Sequence, residues 1–571
     1  MSKGESNQDD QESSVRSRPQ NNDGTASESD QPSHQDTTEQ SRPQNDDGTP
    51  SESDQPFRDE DSDDLESQER EGLLKSDDTI QNADKIWRGE EQINQARKLL
   101  YLSHMFDQFS EGTWQFCIIL FLAAFSNYES LVLVSTYGLC SGLLVCYFGP
   151  QLGRFIDGAD RLFTARLFIG LQSSAVLLAT TCCYMLLAAN EKPFHFSDES
   201  EDDSNNNSSY GVPTDAKSIF LLVGVHLLGA IAQVLDSGFT VAIERDWIVV
   251  MSQYITFAPE EESTNLQKQK EWLSETNVAL KQIDLSCQII APAVAGFVVA
   301  GWDGGGENHK ASDLKSAALF VGCLCAVALV VEYICSTKIF YAVQTLAIKP
   351  IPSANNSSPQ DTSCGLFGLS RGMKIFMSQE VSWAGISLSL LYSNVLTFGA
   401  IMTAYLVWRG ISLEQIGIWR GVSAAVGLAG TFVYKILSAR IGLVNSGMLS
   451  VTVQFCCLSI GYASLFVDNL TISFAMLIVG VCSSRIGLWV FDISVTQLMQ
   501  LNVADDVRGE VGGVQSSLNS FFFLLSFGLG ILLPDPASFH VYASIGYIFV
   551  AAAVVCFAVG VYSKRDSLAK A

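Results

Sequence analysis

The chain has 571 residues, of which 47% are hydrophobic, yet it carries a formal net charge of −26. A positive mean hydropathy of +0.20 and so large a charge are compatible only if acidic and apolar residues occupy separate parts of the chain. So acidic a balance predicts that the protein does not bind nucleic acid, which attracts basic surfaces.

The N-terminal residues form an acidic, polar tail. Residues 1–86 contain 24 Asp and Glu against 8 Lys and Arg, with few aromatic or β-branched residues. Such a segment cannot bury enough apolar surface to offset the entropy lost on ordering. We therefore predict a disordered cytoplasmic tail over 1–97. The tail repeats itself, at 17–32 and 41–56, but two polar copies without an apolar face cannot stack as a solenoid.

One short motif in this tail suggests a partner. The run Glu-Arg-Glu-Gly-Leu-Leu, ending at Leu73 and Leu74, fits an acidic dileucine sorting signal, which adaptors read as an extended peptide. Sorting adaptors are therefore predicted partners of the tail.

From Leu99 onward, apolar stretches of 20 or more residues recur, each long enough to cross the hydrocarbon core of a bilayer. Several exceed 25 residues, which predicts tilted or broken helices. The twelve predicted spans are 98–126, 130–153, 162–189, 216–243, 273–301, 314–345, 376–408, 413–437, 443–467, 471–500, 510–533 and 538–562.

The 14 Cys residues give no sign of a disulfide framework or a zinc site. Most lie singly or in adjacent pairs, such as Cys182 with Cys183, inside the apolar spans, where a thiol is a small apolar filler. A phosphate-binding glycine loop is also missing from the sequence. We therefore expect neither an enzyme nor a tightly bound cofactor.

The charges of the loops predict the orientation in the membrane. One side carries 15 Lys and Arg residues and the other six, so the positive-inside rule places both termini in the cytoplasm. Asn206 and Asn207 begin glycosylation sequons in an acidic loop that then faces outward or into a lumen. The chain is thus predicted to lie in the plasma membrane or a vacuolar or endosomal membrane, contacting lipid, as a monomer.

The twelve spans divide into two sets of six, which predicts a fold class of all-α, major-facilitator-like bundles. The predicted N-terminal half is 98–345 and the C-terminal half is 376–563, separated by a cytoplasmic linker at 346–375 and followed by a short tail at 564–571. In the loop after the second span, Gly153 precedes Asp157 and Arg161, a pattern that facilitators use at a cytoplasmic gate. We predict that these two charged residues pair there.

Polar residues form a stripe along the first span. His104, Asp107, Glu111 and Gln115 are spaced by three, four and four residues, so they share one helical face. Carboxylates in hydrocarbon are costly unless they face a cavity, a partner or a cation. Imidazole, carboxylate and amide groups suit Fe²⁺, Mn²⁺ or Co²⁺.

The fourth span carries a similar stripe of His226, Gln233, Asp236 and Glu244. Asp236 is a candidate metal ligand beside Glu111 and Asp107. The alternative is that these acids pair with Lys281, Arg485 or each other, as structural or proton-handling ions.

The tenth span contains Arg485 and Asp492, seven residues apart on one face. For these two we predict a salt bridge inside the bundle, or a gating role.

Four runs carry a family resemblance: LLYLSHMFDQFSEGTWQF (99–116), AIERDWIVVMS (242–252), NVALKQIDLSCQIIAP (277–292) and SRIGLWVFDISVTQLMQLNV (484–503), the last followed by RGEVGGVQSSLN (508–519). Together they resemble ferroportins, the cellular iron exporters of animals and plants. The resemblance covers nearly all of 98–563 and implies efflux of a divalent metal by alternating access.

The resemblance also implies a set of site residues. Glu111 corresponds to a metal-binding Asp of the family, and Gln115 stands where animal forms have His. Gly399 and Ala400 replace an Asp-Cys pair, and Ser526 replaces a His. The C-terminal half therefore lacks the metal ligands of animal ferroportins. The family's calcium-responsive cluster corresponds to oxygen ligands, which suit Ca²⁺ as a modulator: Glu111, Gln172, Asn277 and Asp284.

Three functions follow from these observations. The first is export of a divalent metal, ferrous iron or else Co²⁺, Ni²⁺ or Mn²⁺. The second is facilitated transport of an organic solute, and the third is metal sensing without transport. The carboxylate stripes favour the first over the second, because an organic-solute site would present more aromatic residues.

Overall fold

The computed structural model describes residues 60–125, 132–189, 216–254, 262–300, 310–349, 366–533 and 536–564, and every regular element in these ranges is a helix. The chain divides into two units, residues 1–74 and 75–571. The helices are α1 (Glu60–Phe125), α2 (Val132–Gly158), α3 (Arg161–Ala189), α4 (Ala216–Gln253), α5 (Glu262–Ala300), α6 (Lys310–Ala342), α7 (Leu366–Ser378), α8 (Ser382–Leu391), α9 (Ala400–Trp408), α10 (Leu413–Ile441), α11 (Leu443–Ala463), α12 (Leu470–Asn502), α13 (Arg508–Leu532) and α14 (Phe539–Gly560).

Helix α1 begins much earlier than the first predicted span. It starts at Glu60, so residues 60–97, which we expected to be disordered, are helical. The segment contains six Glu and four Gln, which favour helix through local backbone bonds, and its last turns bury Ile93 and Ala96. Leu73 and Leu74 lie within this helix, so the predicted extended sorting signal is in helical backbone.

A helix is present at the position of each predicted span. Nine helices of the described chain are long and apolar enough to cross a membrane by length and composition. The first, seventh and eleventh spans lie in α1, in α8 with α9, and in α13. The predicted glycosylation sites, Asn206 and Asn207, and residues 350–365 of the predicted linker lie outside the described residues.

The seventh span is broken, one of the two outcomes that we predicted for the longer spans. Helix α8 ends at Leu391, and α9 begins only at Ala400. In the intervening turn the side-chain oxygen of Asn394 accepts a hydrogen bond from the amide of Leu396, at 3.1 Å. Asn competes with helical backbone bonding in this way, which explains why the helix stops here.

Each half has its own apolar core. Two buried clusters lie among the helices of the N-terminal half, and one large cluster extends through the C-terminal half. A small fourth cluster joins α5 to α10 and α12 through Val278, Tyr434, Val490 and Ile493. The two halves therefore have separate cores and meet along seams where α2 packs against α13 and where α5 packs against α10 and α12.

Glycines form one of these seams, between α2 and α13. A methyl group on Gly153 would overlap the carbonyl oxygen of Gly509, and one on Gly513 would overlap that of Gly149. The helices approach so closely that only glycine fits. The seam lies at the end of the bundle that the loop charges predict to be cytoplasmic.

Candidate metal site

A small cavity inside the N-terminal half is lined by three of the seven predicted metal ligands, Asp107, Glu111 and Gln172. Its volume of about 20 Å³ suffices for one water-sized species, such as a single ion, and not for an organic solute. The wall combines three carboxylates and an amide with small and apolar groups. The lining residues are Asp107, Ser110, Glu111, Trp114, Gln172, Ser173, Val176, Cys325, Ala328 and Glu332.

Helix α1 supplies two of the carboxylates. Asp107 and Glu111, four residues apart, both face the cavity, as the helical spacing predicted. Asp107 is 3% exposed and accepts a hydrogen bond from Gln108 at 3.2 Å. Glu111 accepts one from Gln115 at 2.7 Å. Gln115 also donates to Gln233 of α4, so it lies behind Glu111 and orients it.

Helices α3 and α4 add an amide and a further acid. The side-chain nitrogen of Gln172 donates to Asp236 at 3.2 Å, and that of Gln233 donates to the other oxygen of Asp236 at 3.3 Å. Two amides therefore hold Asp236 beside the cavity. The oxygen of Gln172 is buried and has no hydrogen-bond partner in the described part of the chain. That oxygen remains free to contact a ligand.

The third carboxylate of the cavity, Glu332 of α6, was not predicted. It is 4% exposed and lines the wall with Asp107 and Glu111. The signal was present in the sequence, because an isolated acid inside an apolar span is costly and marks a functional site. We had considered only acids that recur at helical spacing.

A second polar group lies apart from the cavity; we name it the gate cluster, and its members are His104, Glu244, Lys281, Asp284 and Asp492. A ring nitrogen of His104 lies 2.6 Å from Asp284. One ligand atom each of His104, Glu244 and Asp284 lies within 4.8 Å of the others, which is a geometry that could hold a metal. However, the ammonium of Lys281 lies 3.2 Å from Asp284, so a cation is already present there.

We predicted Asn277 and Asp284 in one cluster with Glu111 and Gln172. Neither Asn277 nor Asp284 lines the cavity. Asn277 exchanges hydrogen bonds of 2.6 and 3.1 Å with Gln500 of α12. Asp284 pairs with His104 and Lys281. Both side chains therefore take part in contacts around the seam between the halves in this conformation.

The salt bridge predicted between Arg485 and Asp492 is not formed. Asp492 instead accepts Lys281 of α5 at 3.2 Å, and Arg485 has no ion pair within the described residues. Seven residues along a helix span about 10 Å, while α5 packs directly against α12. Lys281 therefore bridges Asp284 of its own half and Asp492 of the other.

Asp157 and Arg161 do not pair with each other, contrary to our expectation. Asp157 accepts hydrogen bonds of 2.7 Å from the amides of Gly509 and Glu510, at the N-terminus of α13. A carboxylate there is stabilised by the free amides and the helix dipole. Arg161 forms a two-pronged pair with Asp246 of α4, at 2.7 and 2.9 Å, inside the N-terminal half.

The C-terminal half has no comparable site among the described side chains. The hydroxyl of Ser526 donates to the carbonyl of Phe523 in its own helix, at 2.6 Å. Gly399 lies at the start of α9, in the break of the seventh span. In the described part of the chain, the group of acidic and His side chains close enough to hold a metal belongs to the N-terminal half.

Comparison with known structures confirms the fold. A bacterial homologue of the iron transporter ferroportin, in an outward-facing state, is 21% identical and has a TM-score of 0.65, covering 81% of this chain and 99% of that one. The major facilitator superfamily transporter FucP, in an outward conformation, is 11% identical with a TM-score of 0.52, covering 81% and 98%. The protein therefore has the major-facilitator-like fold predicted from its two six-span halves.

Comparison with known sequences confirms the resemblance carried by the four runs. Solute carrier family 40 member 1 of rice, Oryza sativa subsp. japonica, is 29% identical over 483 residues, covering 82% of this chain and 91% of its own. The sequence model of the Ferroportin1 family matches residues 94–550. The chain belongs to the ferroportin family.

Proposed function

We propose that this protein exports a divalent metal ion, ferrous iron first, by alternating access of the cavity in the N-terminal half. The observation that carries the proposal is the cavity itself. It has room for one water-sized species and is lined by Asp107, Glu111, Glu332 and the free oxygen of Gln172. A buried concentration of negative charge of this size fits a small cation and leaves no room for an organic solute.

The contacts between the halves support the alternating-access part of the proposal. Two polar links join the halves: Lys281, midway along α5, bridges Asp284 to Asp492, and Asp157 caps α13 at the predicted cytoplasmic end. Transport requires that these links break when the cavity opens to the cytoplasm. Small polar links and a glycine seam suit contacts that must form and break repeatedly.

The ligand set bears on which metal is carried. Carboxylate and amide oxygens favour Fe²⁺ and Mn²⁺ over softer ions, and they also suit Ca²⁺. Cys325, whose thiol lies 3.7 Å from the carbonyl of Ser173, lines the cavity and is its one sulfur among the described residues. We therefore place Co²⁺ and Ni²⁺ behind Fe²⁺ and Mn²⁺, with Ca²⁺ as a modulator that competes for the same oxygens.

The test is metal uptake by proteoliposomes that contain the purified chain, with Fe²⁺, Mn²⁺, Co²⁺ and Ni²⁺ supplied in turn. Glu111→Ala should remove most of the uptake, because the cavity loses one of its carboxylates. Glu91→Ala is the matched control, since Glu91 is an exposed acid on the same helix. Wild-type uptake by Glu111→Ala would exclude a metal site in this cavity.

The chain is a multi-pass membrane protein, as its family and its apolar helices show. For the finer location we propose a plasma membrane or a vacuolar or endosomal membrane, a monomer, and both termini in the cytoplasm. Loss of a glycan on Asn206→Gln with Asn207→Gln would support this orientation.

If the adaptor signal operates, Leu73→Ala with Leu74→Ala should change the distribution of the protein between membranes; an unchanged distribution would contradict a sorting role for this motif.

A further inference from the structure

Glu332 is the carboxylate of the cavity that we did not predict from the sequence. It lies on α6, opposite the α1 carboxylates Asp107 and Glu111, and only 4% of its surface is exposed. The lining residues Gln172 and Ser173 place α3 on the same wall. Three helices of the N-terminal half therefore meet around one small space.

The side chain of Glu332 differs from the neighbouring acids in having no partner. Asp107 accepts from Gln108 and Glu111 accepts from Gln115. Glu332 makes neither a hydrogen bond nor an ion pair with any residue that the structure describes. A buried carboxylate without a partner is unfavourable, and it is found where a cation or substrate supplies the missing interaction.

A second unpartnered group faces the same space. The side-chain oxygen of Gln172 is fully buried and accepts no hydrogen bond within the described chain, although the amide nitrogen of Gln172 is bound to Asp236. Gln172 as a whole is 7% exposed. Because its nitrogen is held by Asp236, its oxygen is fixed in place as an acceptor. Two acceptors, on α3 and α6, thus lack a donor or a cation within the described chain.

We propose that Glu332 is a direct ligand of the transported cation and completes an all-oxygen site with Asp107, Glu111 and Gln172. The inference rests on the proposed function and adds the third carboxylate to its site. The cargo is then a divalent ion that prefers oxygen, Mn²⁺ or Fe²⁺, over ions that prefer sulfur or nitrogen. Occupancy would also tie α6 to α1 and α3, since one ion would be held by all three helices.

The test uses calorimetric titration of the purified full-length protein with Mn²⁺, which is stable in air. Glu332→Gln keeps the shape of the side chain and removes its charge, and it should weaken Mn²⁺ binding at least about tenfold. Ser336→Ala is the matched control. Ser336 is buried one turn away on α6 and donates to the carbonyl of Tyr333 in its own helix, so its loss should leave the affinity unchanged.

Thermal unfolding separates ligation from a structural role. Without metal, Glu332→Gln should be at least as stable as the wild type, because an unpaired buried charge is removed. With Mn²⁺ present, the wild type should gain thermal stability and Glu332→Gln should gain little. A merely structural acid would instead lower the melting temperature equally with and without metal, and that result would overturn the proposal.

The remaining outcomes distinguish this inference from the proposed function. Wild-type affinity of Glu332→Gln, together with lost binding in Glu111→Ala, would overturn the role of Glu332 and leave a metal site in the cavity. If the wild type bound no divalent ion, the proposed function would fail first. Should Glu332→Gln not fold, Glu332→Asp replaces it: its shorter carboxylate should weaken binding several-fold, and an unchanged Kd would refute the assignment.

Discussion

The bridge formed by Lys281 gives a measurable prediction for the cytoplasmic gate. Lys281 lies 3.2 Å from Asp284 in its own half and 3.2 Å from Asp492 in the other. Asp492→Asn therefore removes the attraction between the halves while Lys281 keeps its second partner. Only the conformation in which the halves touch at this end should lose stability.

The size of the effect follows from this geometry. Two unit charges 3.2 Å apart attract by about 5 kcal/mol at an effective dielectric constant of about 20. Part of this is offset by the desolvation of both groups, which are 22% and 13% exposed, and Asn retains a hydrogen bond to Lys281. A net loss of about 2 kcal/mol remains, which is a shift of about 30-fold in the ratio of closed to open gate.

Hydrogen–deuterium exchange measures the equilibrium between the closed and the open gate without an attached probe. The amides of Gly509 and Glu510 are bonded to Asp157 across the seam, so they exchange when the gate opens. In Asp492→Asn, peptides covering these amides should exchange at least about tenfold faster. Asp468→Asn, in the loop before α12 at the other end of that helix, is the control. Unchanged exchange in Asp492→Asn would refute the view that Lys281 holds the halves together.

Three further predictions follow from contacts already described. Gly153→Val should prevent closure at the glycine seam and abolish transport while the protein still folds, as transport assays and thermal unfolding would show; normal transport would contradict the seam. Arg161→Ala leaves Asp246 buried and unpaired, so it should lower the free energy of unfolding of the N-terminal half by about 3 kcal/mol. Denaturant unfolding measures this loss, and a loss below about 1 kcal/mol would mean that the pair contributes little. By calorimetry, the wild type should bind one ion per molecule, and two ions bound to the wild type would contradict this. The double variant Ala400→Cys with Ser526→His should gain a second, softer site that favours Co²⁺ or Zn²⁺ over Mn²⁺.

Parts of the site that depend on one helix could be predicted from the sequence. The spacing of Asp107 and Glu111 fixes them on one face of α1 whatever the rest of the chain does. The length of several spans predicted tilted or broken helices without saying which; the seventh is broken, and the turn at Asn394 explains the position of the break. Helical periodicity and span length are local properties, so a single sequence contains them.

Parts that depend on how helices meet could not be predicted in this way. Asn277 and Asp284 were expected beside Glu111, but Asn277 bonds Gln500 of the opposite half, and Asp284 pairs with Lys281 of its own helix and with His104. Such pairings belong to one conformation of a protein that must adopt at least two. Glu332 was missed for a different reason: its place inside an apolar span marks it as functional, but a lone acid shows no periodicity, and only the packing of α6 against α3 brings it to the cavity.

Helix α4 contains a wider turn whose geometry has a consequence for this whole end of the protein. From Val241 to Trp247 the backbone is a π-helix, and the amide of Ile248 bonds to the carbonyl of Ile243. The looser winding sends consecutive side chains to three separate neighbours: Glu244 lies in the gate cluster, Arg245 donates to the carbonyl of Thr496, and Asp246 pairs with Arg161.

A regular helix turns by about 100° per residue. With that winding, Glu244, Arg245 and Asp246 would not all reach these neighbours while the helix before and after them kept its packing. Deleting one residue from 241–247 would restore ordinary winding and leave the helix before and after the turn in nearly the same phase, but one of these three side chains would lose its neighbour. One expanded turn thus fits the same helix to its own half and to the opposite half at once. A change of winding at residues 241–247, with no change of side chain, would be enough to separate the contacts of α4 with its own half from its contacts with the opposite half.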